Sequence, residues 1–315
     1  MRLLNGLQII NPPSPPLCNP PLSPFSKGGY RGIFGGLFLL LFTIFNLVFS
    51  LPPSSAEQNW RQRVSAAVEK VSKEDITEEV IFGREIAARI LGKYSLYNNP
   101  QLMRYVNLVG NSIALNTNRP EIEFHFAVLD TAEINAYAAP GGYVFVTRGA
   151  LARMQDESEL AGVLAHEIAH ITERHIVKEL NIRATEESPV SGLARAIGGA
   201  GYEAAKVAFY QAINKAMDIL FKDGYKREDE IQADKTAVLF CALSGYDSSG
   251  LVRYFERLNS IKGKQTEVLD RTHPAYDSRL SWLKETISKE GVDTARAKTN
   301  KERFSETMKG VRIRD

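Results

Sequence analysis

The spacing of apolar residues predicts a mainly helical chain with one short β region. Along most of the sequence, apolar side chains recur every three or four residues, which is the spacing of one helix face. Between 122 and 128 the period changes to two, and 143–147 is a second β-rich run. The predicted helices lie at 80–91, 101–115, 156–180, 204–221, 227–243 and 251–258. This pattern predicts an α+β fold, mainly helical, with a small sheet.

The helix predicted from Asp156 to Leu180 carries a candidate metal site. His166 and His170 lie one turn apart on it, so both imidazoles can reach one metal ion. Glu167 is adjacent, where a carboxylate can take a proton from a water molecule. Two imidazoles and a carboxylate suit zinc. The alternative, a charged helix turn with incidental histidines, would leave three polar groups unpaired in an apolar helix. We therefore predict one zinc ion per chain.

A zinc site needs a third protein ligand, and the candidates lie downstream. His175 is expected to point away from the metal, because it follows the second histidine by five residues. Glu230 is the better candidate, and Asp234, one helical turn later, can orient a ligand histidine. Glu228 and Asp229 compete with Glu230 for the ligand role, and the alternative for the whole acidic cluster is an ordinary solvated helix face. The Glu-x-x-Ala-Asp spacing favours Glu230.

A turn before the second strand suggests a substrate-binding edge. Pro140 next to a strand favours the edge of a sheet, and an edge strand can pair with an extended peptide. An ordinary hairpin would explain the turn equally well. The residues expected to border the cleft at this edge strand are Asn135, Ala136, Tyr137, Gly141 and Gly142.

Four segments, taken together and in this order, resemble one known family. They are Asn135-Ala136-x-Ala138-x-Pro140-Gly141-Gly142, Leu160 to His170, Glu230-x-x-Ala233-Asp234, and His273-Pro274 with Arg279. The chain thereby resembles the zinc metallopeptidases that include the CAAX prenyl endopeptidases and the HtpX heat-shock protease. The resemblance extends from about Thr77 to Leu283. Within that family it is similar to soluble, exported bacterial members that act in outer-membrane protein quality control.

The resemblance implies a zincin-like fold and a zinc metalloendopeptidase. It implies that His166, His170 and Glu230 bind zinc and that Glu167 is the catalytic base. The implied substrates are misfolded or misassembled envelope proteins, and the outer-membrane assembly machinery is a candidate partner. An oxyanion formed during hydrolysis needs a donor besides zinc, for which His273, Arg279 and Tyr137 are candidates.

One alternative concerns the role of His273, and another concerns the function of the whole chain. His273 could instead occupy the open zinc position and hold a resting state inactive. The whole chain could be a zinc-bound, non-hydrolytic chaperone or assembly factor for outer-membrane proteins. The presence of Glu167 argues against the chaperone, because zinc binding alone does not require that residue.

The first 56 residues differ from the remainder and suggest export. They contain nine of the 14 prolines and no acidic residue, and Arg2, Lys27 and Arg31 precede an apolar run over 33–49. This order predicts a signal peptide at 1–56 and a periplasmic product; an over-extended N-terminus and an inner-membrane signal anchor are alternatives. A helical arm at 57–76, the peptidase domain at 77–285 and a polar tail at 286–315 should follow. The sequence has no long basic tract of the kind that binds nucleic acid. No second apolar run approaches membrane-spanning length, so we expect no stable transmembrane segment in the mature chain.

Overall fold

The computed structural model describes residue 62 and residues 71–184, 202–261, 266–273, 276–292, 294 and 297–311. The predicted signal peptide and most of the predicted arm lie outside the described residues. Within the described part of the chain, no helix is both long and apolar enough to cross a membrane.

Helices dominate the described residues, as the spacing of apolar positions predicts. Before the metal-site helix lie α1 (Lys73–Lys93), α2 (Pro100–Ala114), β1 (His125–Leu129), β2 (Ala136–Ala139), a 3-10 turn (Pro140–Gly142), β3 (Tyr143–Thr147) and α3 (Arg148–Leu151). They are followed by α4 (Glu157–Thr172), α5 (His175–Glu179), α6 (Tyr202–Asp218), a π turn (Ile219–Asp223), α7 (Arg227–Leu243), α8 (Gly250–Ser260), α9 (Glu267–Thr272), α10 (Tyr276–Lys289) and α11 (Lys301–Met308). The α+β prediction is therefore confirmed.

The three strands form one mixed sheet between two apolar clusters. β3 lies in the centre, parallel to β1 and antiparallel to β2. Val144 and Val146 of β3 face one cluster, whereas Phe145 faces the other, as expected from the alternation of side chains along a strand. β2 forms a hairpin with β3 around the Pro140–Gly142 turn, and β2 lies at the sheet edge. Pro140 thus follows an edge strand, β2, and precedes the central strand, β3.

A buried carboxylate fixes the Pro140–Gly142 turn. Glu79 of α1 is fully buried and accepts a hydrogen bond from the Gly141 N–H at 3.4 Å. The guanidinium groups of Arg119 and Arg174 donate to the same carboxylate at 3.1 and 3.2 Å. A buried carboxylate needs such charged donors, because losing water without them costs several kcal/mol. One side chain therefore joins α1, the turn and the segment after α4.

α4 is buried on every side. All of its residues from Glu157 to Thr172 are buried, so it lies in the centre of the domain and not on its surface. The Asp156 side chain caps the helix by accepting from the Glu159 N–H at 3.0 Å. The Glu159 carboxylate accepts from the Gln155 N–H and not from Asp156 itself, so only one of the two hydrogen bonds of a capping box is present.

The helix predicted as far as Leu180 ends earlier. α4 stops at Thr172, Arg174 adopts a left-handed conformation with φ 59°, and α5 begins at His175. The prediction of one continuous helix is wrong at this point. Pairing of the Arg174 guanidinium with Glu79 offsets the strain of a left-handed conformation in a residue other than glycine.

The polar tail predicted at 286–315 packs on the domain over its described residues. Phe304 of α11 is buried, and Arg303 forms an ion pair with the fully buried Glu157. The carbonyl oxygens of Lys298 and Thr299 accept hydrogen bonds from Ser158 Oγ and the Glu157 N–H at 2.7 and 3.0 Å. The segment therefore contacts the start of α4 and is not peripheral.

Close packing at the turn gives a stability test. A Cβ at Gly83 of α1 would lie 1.7 Å from the Pro140 carbonyl oxygen, whereas one at Gly92 of the same helix would meet nothing within 4 Å. We expect Gly83→Ala to destabilise the protein by about 1–3 kcal/mol or more through overpacking. The matched Gly92→Ala should be neutral or stabilise by up to ~1 kcal/mol. Urea denaturation measures both, and equal midpoints would contradict the close contact.

Candidate metal centre

The two histidines of α4 and Glu230 of α7 meet at the contact between these helices. The Nε2 atoms of His166 and His170 are 3.0 Å apart. Glu230 Oε2 lies 3.4 Å from His166 Nε2, and Glu230 Oε1 lies 3.5 Å from His170 Nε2. The structure thus brings together the three residues that the sequence suggests as ligands. Glu228 is exposed in the first turn of the same helix and Asp229 is half-buried beside it, so the acidic cluster separates into different environments.

His273 joins this group from the end of α9. Its Nδ1 lies 2.8 Å from Glu230 Oε1, and donor atoms from His166, His170, Glu230 and His273 all lie within 4.8 Å of one another. Among the described residues, Glu230 Oε2 is buried without a hydrogen-bond partner. Imidazole and carboxylate donors at this spacing fit a metal ion, which would satisfy that oxygen atom.

Asp234 and Arg279 contact the candidate ligands His166 and Glu230. Asp234 Oδ1 lies 3.0 Å from His166 Nδ1, on the side of the imidazole away from the other ligands. Arg279 donates to both oxygens of Asp234, at 2.5 and 2.9 Å, and its guanidinium lies over the Phe255 ring. Its Nη1 is 3.4 Å from Glu230 Oε2. The arginine therefore contacts both buried carboxylates of α7.

The carboxylates of the site favour a positive charge beside them. Burial and the Arg279 charge each lower the pKa of His166, but Glu230 and Asp234 outweigh them and raise it to about 9. Burial alone would raise the pKa of Glu230, yet the charges of His273 and Arg279 hold it well below its usual range. The electrostatics of the ligand group thus match the charge of a bound cation as well as its donor types.

Glu167 faces a cavity beside this group. The cavity has a volume of about 20 Å³, enough for a water molecule, and is lined in part by Asn135, Ala136, Glu167 and His273. Burial raises the pKa of Glu167, although the charges of His166 and His273 act in the opposite direction. A carboxyl group with a raised pKa beside a water-sized cavity is typical of a general base.

Tyr137 lies apart from this cavity. Its ring packs in the apolar cluster on the other face of the sheet, with its centroid 4.6 Å from that of Phe221 and 6.2 Å from that of Tyr94. The alternation along β2 explains the difference, because Ala136 and Tyr137 point to opposite faces. Gly141 and Gly142 lie in the turn after β2 and do not line the cavity.

Two residues beside His170 were not predicted to lie there: no sequence pattern indicated Tyr225, and the spacing of His175 predicted that it points away. The ring of Tyr225 stacks on His170, with centroids 3.8 Å apart, and its hydroxyl lies 3.5 Å from the Ala138 carbonyl oxygen. His175 Nδ1 lies 2.8 Å from His170 Nδ1, so the expectation that His175 points away from the site is wrong. Spacing on one helix could not find this contact, because the break at Arg174 turns His175 back towards α4.

Comparison with known proteins assigns the family. The family model described as Peptidase family M48 matches residues 100–287. The chain belongs to this family. The resemblance to metallopeptidases inferred from the four segments is therefore confirmed, and the family is one of metal-dependent hydrolases.

Curated relatives agree with this assignment. A putative beta-barrel assembly-enhancing protease of Vibrio cholerae is 32% identical over 211 residues, which are 65% of this chain and 43% of the relative. The beta-barrel assembly-enhancing protease of Escherichia coli K12 is 31% identical over 216 residues, with the same coverage. Metalloprotease YcaL of E. coli K12 is 26% identical over 175 residues, 56% of this chain and 66% of the relative. The match thus spans less than half the length of the first two relatives.

Substitutions in α7 test the ligand assignment. Glu230→Ala should remove most of the bound metal, because it deletes a ligand. The exposed Glu228→Ala should leave metal content unchanged. Asp234→Ala should weaken metal binding by a smaller factor, roughly 10–100-fold, because it removes only the partner of His166. Metal analysis of the three purified variants measures this, and full metal content in Glu230→Ala would exclude Glu230 as a ligand.

Proposed function

We propose that the chain is a zinc-dependent metalloendopeptidase that hydrolyses peptide bonds in misfolded or misassembled envelope proteins. The observation that carries this proposal is the juxtaposition of the four-donor group with Glu167 at one cavity. His166, His170 and Glu230 are the proposed zinc ligands. Two imidazoles and a carboxylate are typical ligands of catalytic zinc, which keeps a fourth coordination position open to water or substrate.

The chain's own residues would carry the proton during hydrolysis. A zinc ion bound there would polarise the scissile carbonyl group and make a neighbouring water molecule more acidic. Glu167 takes the proton of the attacking water and later donates it to the leaving amine. Its raised pKa suits this exchange, because a carboxyl group that holds a proton more readily is a better base. Asp234 keeps the His166 ring in its orientation throughout.

His273 is the proposed donor to the developing oxyanion. It lines the same cavity as Glu167, where the reacting carbonyl group must lie. Arg279 is less suited to that role, since its guanidinium is bonded to Asp234 and lies at ion-pair distance from Glu230. We assign Arg279 the positioning of these two carboxylates. Tyr137 is also less suited, because its ring packs on the other face of the sheet.

The edge strand β2 is the proposed substrate-binding element. Ala136 and Asn135 line the cavity next to Glu167, so a peptide lying along this edge would pass the base and the ligand group. Main-chain hydrogen bonds would fix the scissile bond in register, as when a strand is added to a sheet. This mode of binding would suit unfolded segments of many sequences.

The relatives and the first 56 residues support a proposed location and a proposed partner. The name shared by the V. cholerae and E. coli proteins refers to β-barrel assembly, which supports envelope proteins as substrates and the outer-membrane assembly machinery as a partner. The apolar run with its basic flank supports export to the periplasm.

Substitution of the base tests the catalytic mechanism. Glu167→Gln should keep fold and metal but lower hydrolysis of unfolded casein by roughly 10²–10⁴-fold, because it removes the proton acceptor and no ligand. The exposed Glu228→Gln is the matched control and should retain full activity and metal. Wild-type rates in Glu167→Gln would contradict the mechanism. Wild-type protein that binds casein without cleaving it, with metal present, would instead favour the non-hydrolytic chaperone.

Substitution of His273 separates its two functional roles. Loss of an oxyanion donor should lower turnover on the order of a hundredfold in His273→Ala. Loss of a resting-state ligand should raise basal activity and leave zinc bound by the other three residues. Steady-state kinetics and metal analysis distinguish these outcomes. An unchanged rate with a lowered melting temperature would mean that His273 is structural; its sequence neighbour Pro274 lies outside the described residues.

A further inference from the structure

A chain of polar contacts begins at the back of the buried His170 and leads to the exposed Gln232 and the half-buried Glu173. Its Nδ1 lies 2.8 Å from His175 Nδ1, and the His175 Nε2 lies 3.4 Å from Gln232 Oε1 of α7. Gln232 Nε2 in turn donates to Glu173 Oε2 at 2.5 Å. Glu173 accepts a second hydrogen bond from Thr236 Oγ1 at 3.1 Å. The chain thus runs from a fixed carboxylate to a proposed metal ligand.

The carboxylate end determines the direction of every hydrogen bond. A carboxylate only accepts, so the Gln232 amide must direct its NH2 towards Glu173 and its oxygen towards His175. That oxygen also only accepts, so His175 carries its proton on Nε2. The Asp229 carboxylate, whose Oδ1 lies 3.8 Å from the same nitrogen, makes no hydrogen bond to it, but its negative charge favours a proton at that position. The lone pair of His175 is therefore on Nδ1.

This lone pair determines which nitrogen of His170 carries the proton. Two ring nitrogens 2.8 Å apart need one donor and one acceptor, so His170 donates from Nδ1. The Nε2 of a neutral His170 is then free of hydrogen. It is this nitrogen that lies 3.0 Å from His166 Nε2 and 3.5 Å from Glu230 Oε1, within the ligand group.

We propose that Glu173, Gln232 and His175 are positioning residues that set the tautomer of His170 so that Nε2 can bind the metal. The inference rests on the metal site proposed above. Histidine ligands usually donate their second N–H to a carboxylate, carbonyl oxygen or water, as His166 does to Asp234. At His170 a neutral imidazole takes this place, and its own orientation is fixed by the amide and carboxylate behind it.

Two substitutions of the same residue separate hydrogen bonding from packing. Asparagine presents an oxygen where histidine has Nδ1. Leucine has nearly the same shape as asparagine but no polar atom in its side chain. His175→Leu should weaken zinc binding roughly 10–100-fold, measured by competition with a chelator, whereas His175→Asn should recover most of the affinity. His125→Leu, at an exposed histidine on β1, is the control and should leave the affinity unchanged. Equal affinities of the leucine variant and wild type would overturn the proposal, and so would an asparagine variant as weak as the leucine one.

A second measurement does not depend on metal or activity. In metal-free wild-type protein, ¹⁵N NMR of the imidazole rings should find the proton of His170 on Nδ1 and that of His175 on Nε2. Gln232→Met removes the amide acceptor, so a fraction of His175 should shift its proton to Nδ1. A proton on His170 Nε2 in the wild type would overturn the proposal even if the His175 variants fail to fold. Wild-type protein with the expected tautomers but no zinc affinity would refute the zinc site and still support the positioning of His170 by Glu173, Gln232 and His175.

Discussion

The candidate site depends on charge pairing in the buried contact between α4 and α7. α4 contributes His166, His170 and Glu167, and α7 contributes Glu230 and Asp234. Each of these groups would be costly to bury alone, because an ionised side chain loses several kcal/mol of hydration there. Their mutual contacts and Arg279 offset this cost. The same residues that would bind a metal are thus the ones that allow two charged helices to pack in the domain interior.

Close backbone approach makes that arrangement possible. A Cβ at Gly162 of α4 would lie 2.9 Å from Leu251, and one at Gly250 would lie 2.3 Å from the Ser158 carbonyl oxygen, so α8 lies directly against the metal-site helix. On the opposite side, Ala138 of β2 and Tyr225 meet near His170. Sheet edge, helix and cavity are therefore held by direct contact, which allows little freedom to the ligand side chains.

Much of this architecture follows from the sequence, because strong local signals agree with tertiary packing. α7 begins and ends at the predicted Arg227 and Leu243, and β3 spans the predicted 143–147. The strand β2 was less visible, since four residues of Ala-Tyr-Ala-Ala give no alternation of polarity. The break at Arg174 was not visible at all. Neither glycine nor proline marks it, and its support comes from Glu79, far away in sequence.

The same limit explains which site residues could be found. Periodicity on a single helix brings His166 and His170 together, and spacing on another gives Glu230 and Asp234. Tyr225, Gln232 and His175 reach the site only because separate elements fold onto α4. Their contacts depend on the tertiary arrangement, which local pattern does not encode.

The contact of the C-terminal segment with α4 has a consequence for the order of assembly during synthesis. The Ser158 hydroxyl bonds to the Lys298 carbonyl, 140 residues later, and the Glu157 N–H bonds to Thr299. Arg279, which pairs with Asp234, also lies far along the chain. On the ribosome, the first turn of α4 must therefore wait for these residues to emerge before its hydrogen bonds are complete. A site built this way reaches its final geometry only after the domain has been translated, when few unfolded segments of the same chain remain exposed to it.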